Sequence, residues 1–125
     1  MTVILAVQDG GRVYLAGDTR ITTDTGRYTE GNQKVYKVND KVLAGLAGSW
    51  EVLDALHKAL PLIKRHKNAL AAARALDSLL RKDGRLYASE FDWTVALVAR
   101  NTVVEVLPTG VVVCPFNDVV CYSTG

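Results

Sequence analysis

Three residues in the front part of the chain have types and spacing that could do chemistry. Thr2 stands directly behind the initiator methionine in "MTVILAV", and Asp18 in "LAGDTR" and Lys34 in "NQKVY" follow at equal intervals. An initiator methionine is commonly removed when the next residue is small, which here leaves a threonine carrying both a hydroxyl and a free α-amine. With an ordinary pKa of about 8, that amine is partly neutral near neutral pH and can accept the hydroxyl proton, so one residue supplies nucleophile and base. Such a site still needs a cation to favour the alkoxide and depress the amine's pKa, a carboxylate to hold that cation, and backbone N–H groups to meet an oxyanion. Lys34 and Asp18 are the candidates for the first two.

Each residue also has a plainer use. Thr2 could be an ordinary strand start, Asp18 with Thr19 could cap a turn, and Lys34 could be a solvated strand residue. The glycines of "LAGLAG" could serve only close packing of sheets. The joint spacing, and no single residue, carries the chemical reading. His57 and His66 sit in helical sequence away from these motifs and read as surface or core packing residues.

The elements that must position these groups follow from hydrophobic period and turn residues. "TVILAV" and "RVYLAGD", joined across "GG", read as a hairpin, and "KVYKV" and "KVLAGLAG", joined across "ND", as another. The polar "TRITTDTGRYTEG" between them reads as a ribbon or loop. From Ser49, a candidate N-cap, Val52, Leu53, Leu56, Leu60 and Ile63 recur at helical spacing, with Pro61 expected to kink or end the helix. A second helix follows from the cap candidate Asn68, with a stripe of Leu70, Ala73, Leu76 and Leu80 and Gly84 as its expected terminator. "DWTVALVAR", "TVVEVLP", "GVVVCPF" and "DVVCYSTG" then read as a meander of antiparallel strands. Strands, two helices, then strands again predict an α+β fold with antiparallel sheets. Strands apolar on both faces predict that each sheet is covered twice.

Composition limits the classes of function. The 125 residues, without repeat, linker or low-complexity stretch, fit a single domain over 1–125. No apolar run reaches the roughly 20 residues of a membrane span. No signal peptide is legible, so the cytoplasm is the expected location. Fifteen Lys+Arg against thirteen Asp+Glu give a net charge of +2, with no basic surface that would predict nucleic acid. The "KRHK" cluster at 64–67 reads as a solvated helix end that complements the helix dipole. Cys114 and Cys121 lack metal-ligand spacing and read as buried free thiols.

Taken together, "TVILAV…AGDTR…GNQKV…VLAGLAGS" resembles the N-terminal nucleophile (Ntn) hydrolases of the proteasome β-subunit and HslV type. The resemblance spans nearly the whole chain and is strongest over residues 2–50. It implies an αββα sandwich of antiparallel sheets in which Thr2 is the nucleophile, Asp18 the carboxylate that orients the lysine, and Lys34 the cation. It further implies that the N–H of Gly45 faces the oxyanion, that Ser123 in "CYSTG" supports the threonine amine, and that Arg20 gives structural support. Family members normally continue beyond the turn that "CYSTG" resembles, so part of the last helix layer is expected to be missing.

The implied activity is hydrolysis of peptide bonds in a peptide or unfolded protein, with no metal or organic cofactor. The implied partners are further copies of the chain, with a ring as one form, and an ATP-dependent unfoldase. Two other readings stay open: a catalytically silent structural or assembly subunit, and a small-amide hydrolase on the same fold.

Overall fold

Gly10 and Gly11 both adopt positive φ, 57° and 78°. That is the geometry of the tight turn whose twist matches two flanking antiparallel strands. They join β1 (Thr2–Asp9) to β2 (Arg12–Gly17), as expected for this hairpin. The computed structural model describes residues 2–18, 21–22, 28–29, 33–48, 50–87, 92–116 and 119–124, with backbone alone at 2, 21–22, 28–29, 50, 85 and 119–124. The polar stretch after β2 contributes a short ribbon of β3 (Ile21–Thr22) and β4 (Tyr28–Thr29).

The second hairpin is β5 (Val35–Lys37) with β6 (Leu43–Ala47). Three later strands extend its sheet: β7 (Thr94–Ala99), β8 (Thr102–Leu107) and β9 (Gly110–Pro115), in the order β5-β6-β7-β8-β9. The last strand departs from the expected meander. β10 (Val119–Thr124) leaves β9 and pairs antiparallel with β1 from Thr2↔Thr124 to Val7↔Val119, giving a three-stranded sheet in the order β10-β1-β2. Turn residues announce where a strand reverses, but they do not say which free edge the next strand will take. The edge of β1 away from β2 offers β10 a six-residue ladder.

Helix α1 (Trp50–Ile63) continues through Pro61 for two further residues, because a proline this close to the C-terminus removes little of the backbone ladder. The expected cap Ser49 lies outside the described residues. Helix α2 (Ala69–Leu80) begins as expected at Asn68, whose side chain accepts the N–H groups of Leu70 and Ala71. It stops without glycine. Arg81 closes it in a right-handed conformation, and Gly84 instead opens a short 3-10 helix over Gly84–Tyr87.

Alternation along the strands builds the layers. Ala44, Leu46, Val95, Leu97, Val104 and Val106 face the helices and form one core with Val52, Leu56, Ile63, Leu76 and Leu80. Their neighbours Ala96, Val98 and Val103 point the other way and meet Ala6 and Phe116 in a second core between the sheets. β6, β7 and β8 are therefore covered twice, which is why they read as nearly continuous apolar runs.

Double cover is incomplete at two places. β9 is an edge strand with Val112 and Val113 44% and 55% exposed. On β1, Ile4 and Ala6 are buried, whereas Val3 and Leu5 on the opposite face are 38% exposed. The described elements thus stack as a helix layer, a five-stranded sheet and a three-stranded sheet. Far from the start of β1, Gln8 clamps the sheets together by accepting the N–H of Asn101 at 2.6 Å and donating to its side-chain oxygen at 2.8 Å.

Candidate active site

The β1–β2 register that sets Ile4 against Gly17 brings Asp18 beside Val3. The Asp18 N–H donates to the Val3 carbonyl at 3.2 Å, and the Val3 N–H donates back to Asp18 Oδ2 at 2.8 Å. The carboxylate is thereby tied to the residue that follows Thr2. Its other oxygen, Oδ1, lies 2.5 Å from Lys34 Nζ.

Lys34 is 3% exposed, the one buried charged side chain among the described residues, and a buried ammonium is tolerated only with such a partner. This excludes the reading of Lys34 as a solvated strand residue. The backbone of Lys34 is held as well: its carbonyl accepts the N–H of Leu46 at 2.8 Å.

Gly45 precedes Leu46 on β6 and pairs with Val35 on one side and Ala96 on the other. A Cβ there would lie 2.8 Å from Ile4 Cγ2 and 3.3 Å from Leu15 Cδ2, so close approach of the two sheets by itself requires glycine. Gly17 has the same character: a Cβ would come within 2.7 Å of Ile4 Cδ1. The demand at Gly17 was not drawn from the sequence, although a glycine directly before Asp18 is its visible sign.

Thr2 pairs with Thr124 in the β1–β10 ladder, and Ser123 lies opposite Val3 in the same ladder. Strands β1, β2 and β10 thus bring the backbones of Thr2, Asp18 and Ser123 to one end of the three-stranded sheet. The ion pair adds Lys34, and Gly45 packs against Ile4. The side chains of Thr2 and Ser123, and the whole of Met1 and Arg20, lie outside the described residues.

Other titratable groups lie elsewhere. His57, on α1, is exposed, as the surface reading has it, and its Nε2 lies 3.0 Å from the Tyr36 hydroxyl. His66 follows α1 and donates its N–H to the Ile63 carbonyl. Lys67 of the basic cluster pairs with Asp40 at 2.6 Å, which holds the Asp40 carboxyl below its usual range. Cys114 is half-buried where full burial was expected, because it sits on the edge strand β9; the side chain of Cys121 is not described. No group of three His, Cys, Asp or Glu residues that could hold a metal occurs among the described residues. A cleft of about 460 Å³ between the helices, lined by Asp54, Lys58, Leu62, Leu79 and Lys82 among others, contains none of the site residues. Among the described residues, no helix is long and apolar enough to cross a membrane.

Comparison with known proteins agrees with this architecture. A family model described as "Proteasome subunit" matches residues 2–60. HslV from Trypanosoma brucei superposes with a TM-score of 0.66 at 21% identity, over 98% of this chain and 71% of that one. Anbu, an ancestral β-subunit from Yersinia bercovieri, superposes with a TM-score of 0.72 at 10% identity, over 97% of this chain and 60% of that one. No sequence among the curated proteins matches. The fold is the proteasome-like Ntn-hydrolase fold. On this fold, residues 2–60 carry the proteasome-subunit pattern.

Proposed function

We propose that this chain is a threonine-type N-terminal nucleophile hydrolase that cleaves peptide bonds. With Met1 removed, the Thr2 amine takes the hydroxyl proton as Oγ attacks the substrate carbonyl. A backbone N–H beside Thr2 meets the tetrahedral oxyanion, the substrate's amine leaves with the proton, and an ester on Thr2 remains. Water then hydrolyses the ester by the same route. Lys34 favours the alkoxide and keeps the neighbouring amine neutral by like-charge repulsion. Asp18 orients Lys34, and Ser123 supports the threonine amine. The substrate is a peptide or an unfolded protein, and the chain acts in the cytoplasm as a homo-oligomer fed by an ATP-dependent unfoldase.

The observation that supports this reading is the buried Lys34 ammonium at 2.5 Å from a carboxylate that also holds the amide next to Thr2.

The test is intact-mass analysis before and after a peptide vinyl sulfone or boronate. The expected result is loss of one methionine and one adduct on Thr2, abolished by Thr2→Ala. A chain that keeps Met1 and takes no adduct would return the reading to a silent assembly subunit. Cleavage of small amides with no turnover of peptides would favour the small-amide hydrolase.

A further inference from the structure

Lys34 precedes β5, and its ammonium must be held against Asp18 while its own backbone lies at the end of a three-residue strand. On one side the Leu46 N–H fixes its carbonyl. On the other, residues 33–36 fold back on one another. The Tyr36 hydroxyl donates to the Gln33 carbonyl at 2.5 Å, and Gln33 Nε2 donates to the Val35 carbonyl at 2.7 Å. Lys34 is the residue inside this small closed loop.

The loop is anchored from outside by the helix layer. A phenol has one proton, and that of Tyr36 is committed to Gln33, so its oxygen can only accept from His57 Nε2, 3.0 Å away. His57 therefore carries its proton on Nε2, an assignment made from the hydrogen-bond pattern. The two rings also meet edge to face, with centroids 5.1 Å apart and planes at 79°. Burial raises the Tyr36 pKa, which keeps the phenol a donor.

We infer that Tyr36 and His57 are positioning residues for Lys34: α1 holds Tyr36 through His57, Tyr36 holds Gln33, and the closed loop fixes where the Lys34 backbone starts toward Asp18. This rests on the reading of Lys34 as the cation beside Thr2. Neither residue touches a reacting atom, and their effect is on the population of chains in which the ammonium is in place.

The experiment uses the full chain and three variants, Tyr36→Phe, His57→Leu and His57→Gln. The first removes one oxygen and keeps the ring, the second keeps bulk without a donor, and the third keeps a donor. The first readout needs no activity: brief acylation with acetic anhydride, with modification of Lys34 measured by peptide mass spectrometry against the exposed Lys58 as internal standard. Protection of a buried amine reports how often its surroundings open locally. Loss of one hydrogen bond of ordinary net strength predicts roughly three- to tenfold more Lys34 modification in Tyr36→Phe and His57→Leu, and near-wild-type protection in His57→Gln.

The second readout is peptide turnover, where kcat should fall by no more than that factor, with KM unchanged. Unaltered Lys34 protection in Tyr36→Phe, or His57→Gln behaving like His57→Leu, overturns the inference. A wild-type chain that takes no adduct on Thr2 would instead refute the proposed function, and the acylation pattern would still decide whether the pair positions Lys34.

Discussion

The Asp18 carboxylate and the Lys34 ammonium meet at 2.5 Å with very different exposure, 31% for the acid and 3% for the base. Water can reach the carboxylate, but the ammonium depends on it. Removing the acid strands a buried cation, whereas removing the cation leaves an acid that can rehydrate and still accept the Val3 N–H. Asp18→Ala should therefore destabilise the chain by about 1–3 kcal/mol, and Lys34→Met by less. For acylation of Thr2 the order reverses: Lys34→Ala loses the charge beside the alkoxide and should slow it by roughly 10²-fold or more, while Asp18→Asn, which mainly loosens Lys34, should cost less. Urea denaturation and adduct formation over time check the two orders. Identical ranking in both assays would mean that the pair acts on stability alone.

The two glycines that face Ile4 should respond differently to alanine. The Cβ at Gly45 meets Ile4 Cγ2, fixed at the branch point of a buried side chain, whereas the Cβ at Gly17 meets the terminal Cδ1. Gly45→Ala should cost about 1–3 kcal/mol and Gly17→Ala less. Ile4→Val deletes Cδ1 and keeps both branch methyls, so in a double-mutant cycle it should relieve Gly17→Ala and leave Gly45→Ala as costly as before. Equal coupling to both glycines would contradict the geometry.

Tyr87 gives a pH dependence with a definite sign. Burial first, and then the charge of Asp77, push its phenol up to about 12 from 10.0, with Arg81 partly opposing. The unfolded chain thus releases this proton before the folded one does. The contribution of Tyr87 is fully present below pH 10 and is lost as pH rises through about 12. Denaturation midpoints measured across that alkaline window should fall, and Tyr87→Phe should flatten the fall. A slope unchanged by Tyr87→Phe would assign it to other groups.

The outer face of the three-stranded sheet carries Val3 and Leu5, each 38% exposed, and Tyr14 at 51%. Apolar groups clustered this way favour association. Sedimentation should give a species larger than the 13.6 kDa chain, and Leu5→Glu with Tyr14→Glu should shift it toward the monomer. A wild-type monomer at micromolar concentration would count against the homo-oligomer.

Much of the fold was legible because it is written within a few residues. The glycine turn of the first hairpin, the Asn68 cap and the helical stripe from Val52 to Ile63 are each set by local backbone preference or by side-chain period. The placing of Asp18 near Thr2 is likewise a property of the sequence, since the tight hairpin of β1 and β2 returns the chain to the same end of its sheet, whereas Lys34 joins them from the other sheet. What the sequence by itself determined, then, is the set of strands and helices and the residues that could form a site.

Tertiary structure alone decided how these are used. Whether β10 continues the meander or crosses to β1 depends on which sheet edge lies free, and that is settled by elements more than a hundred residues apart. The burial of Lys34, the double use of the Asp18 carboxylate and the hold of His57 on Tyr36 each join strands or layers that no sequence period relates. Local signals act through the backbone over a turn or two. Contacts between sheets and helices form only once packing has placed them side by side, and so they are visible only in the fold.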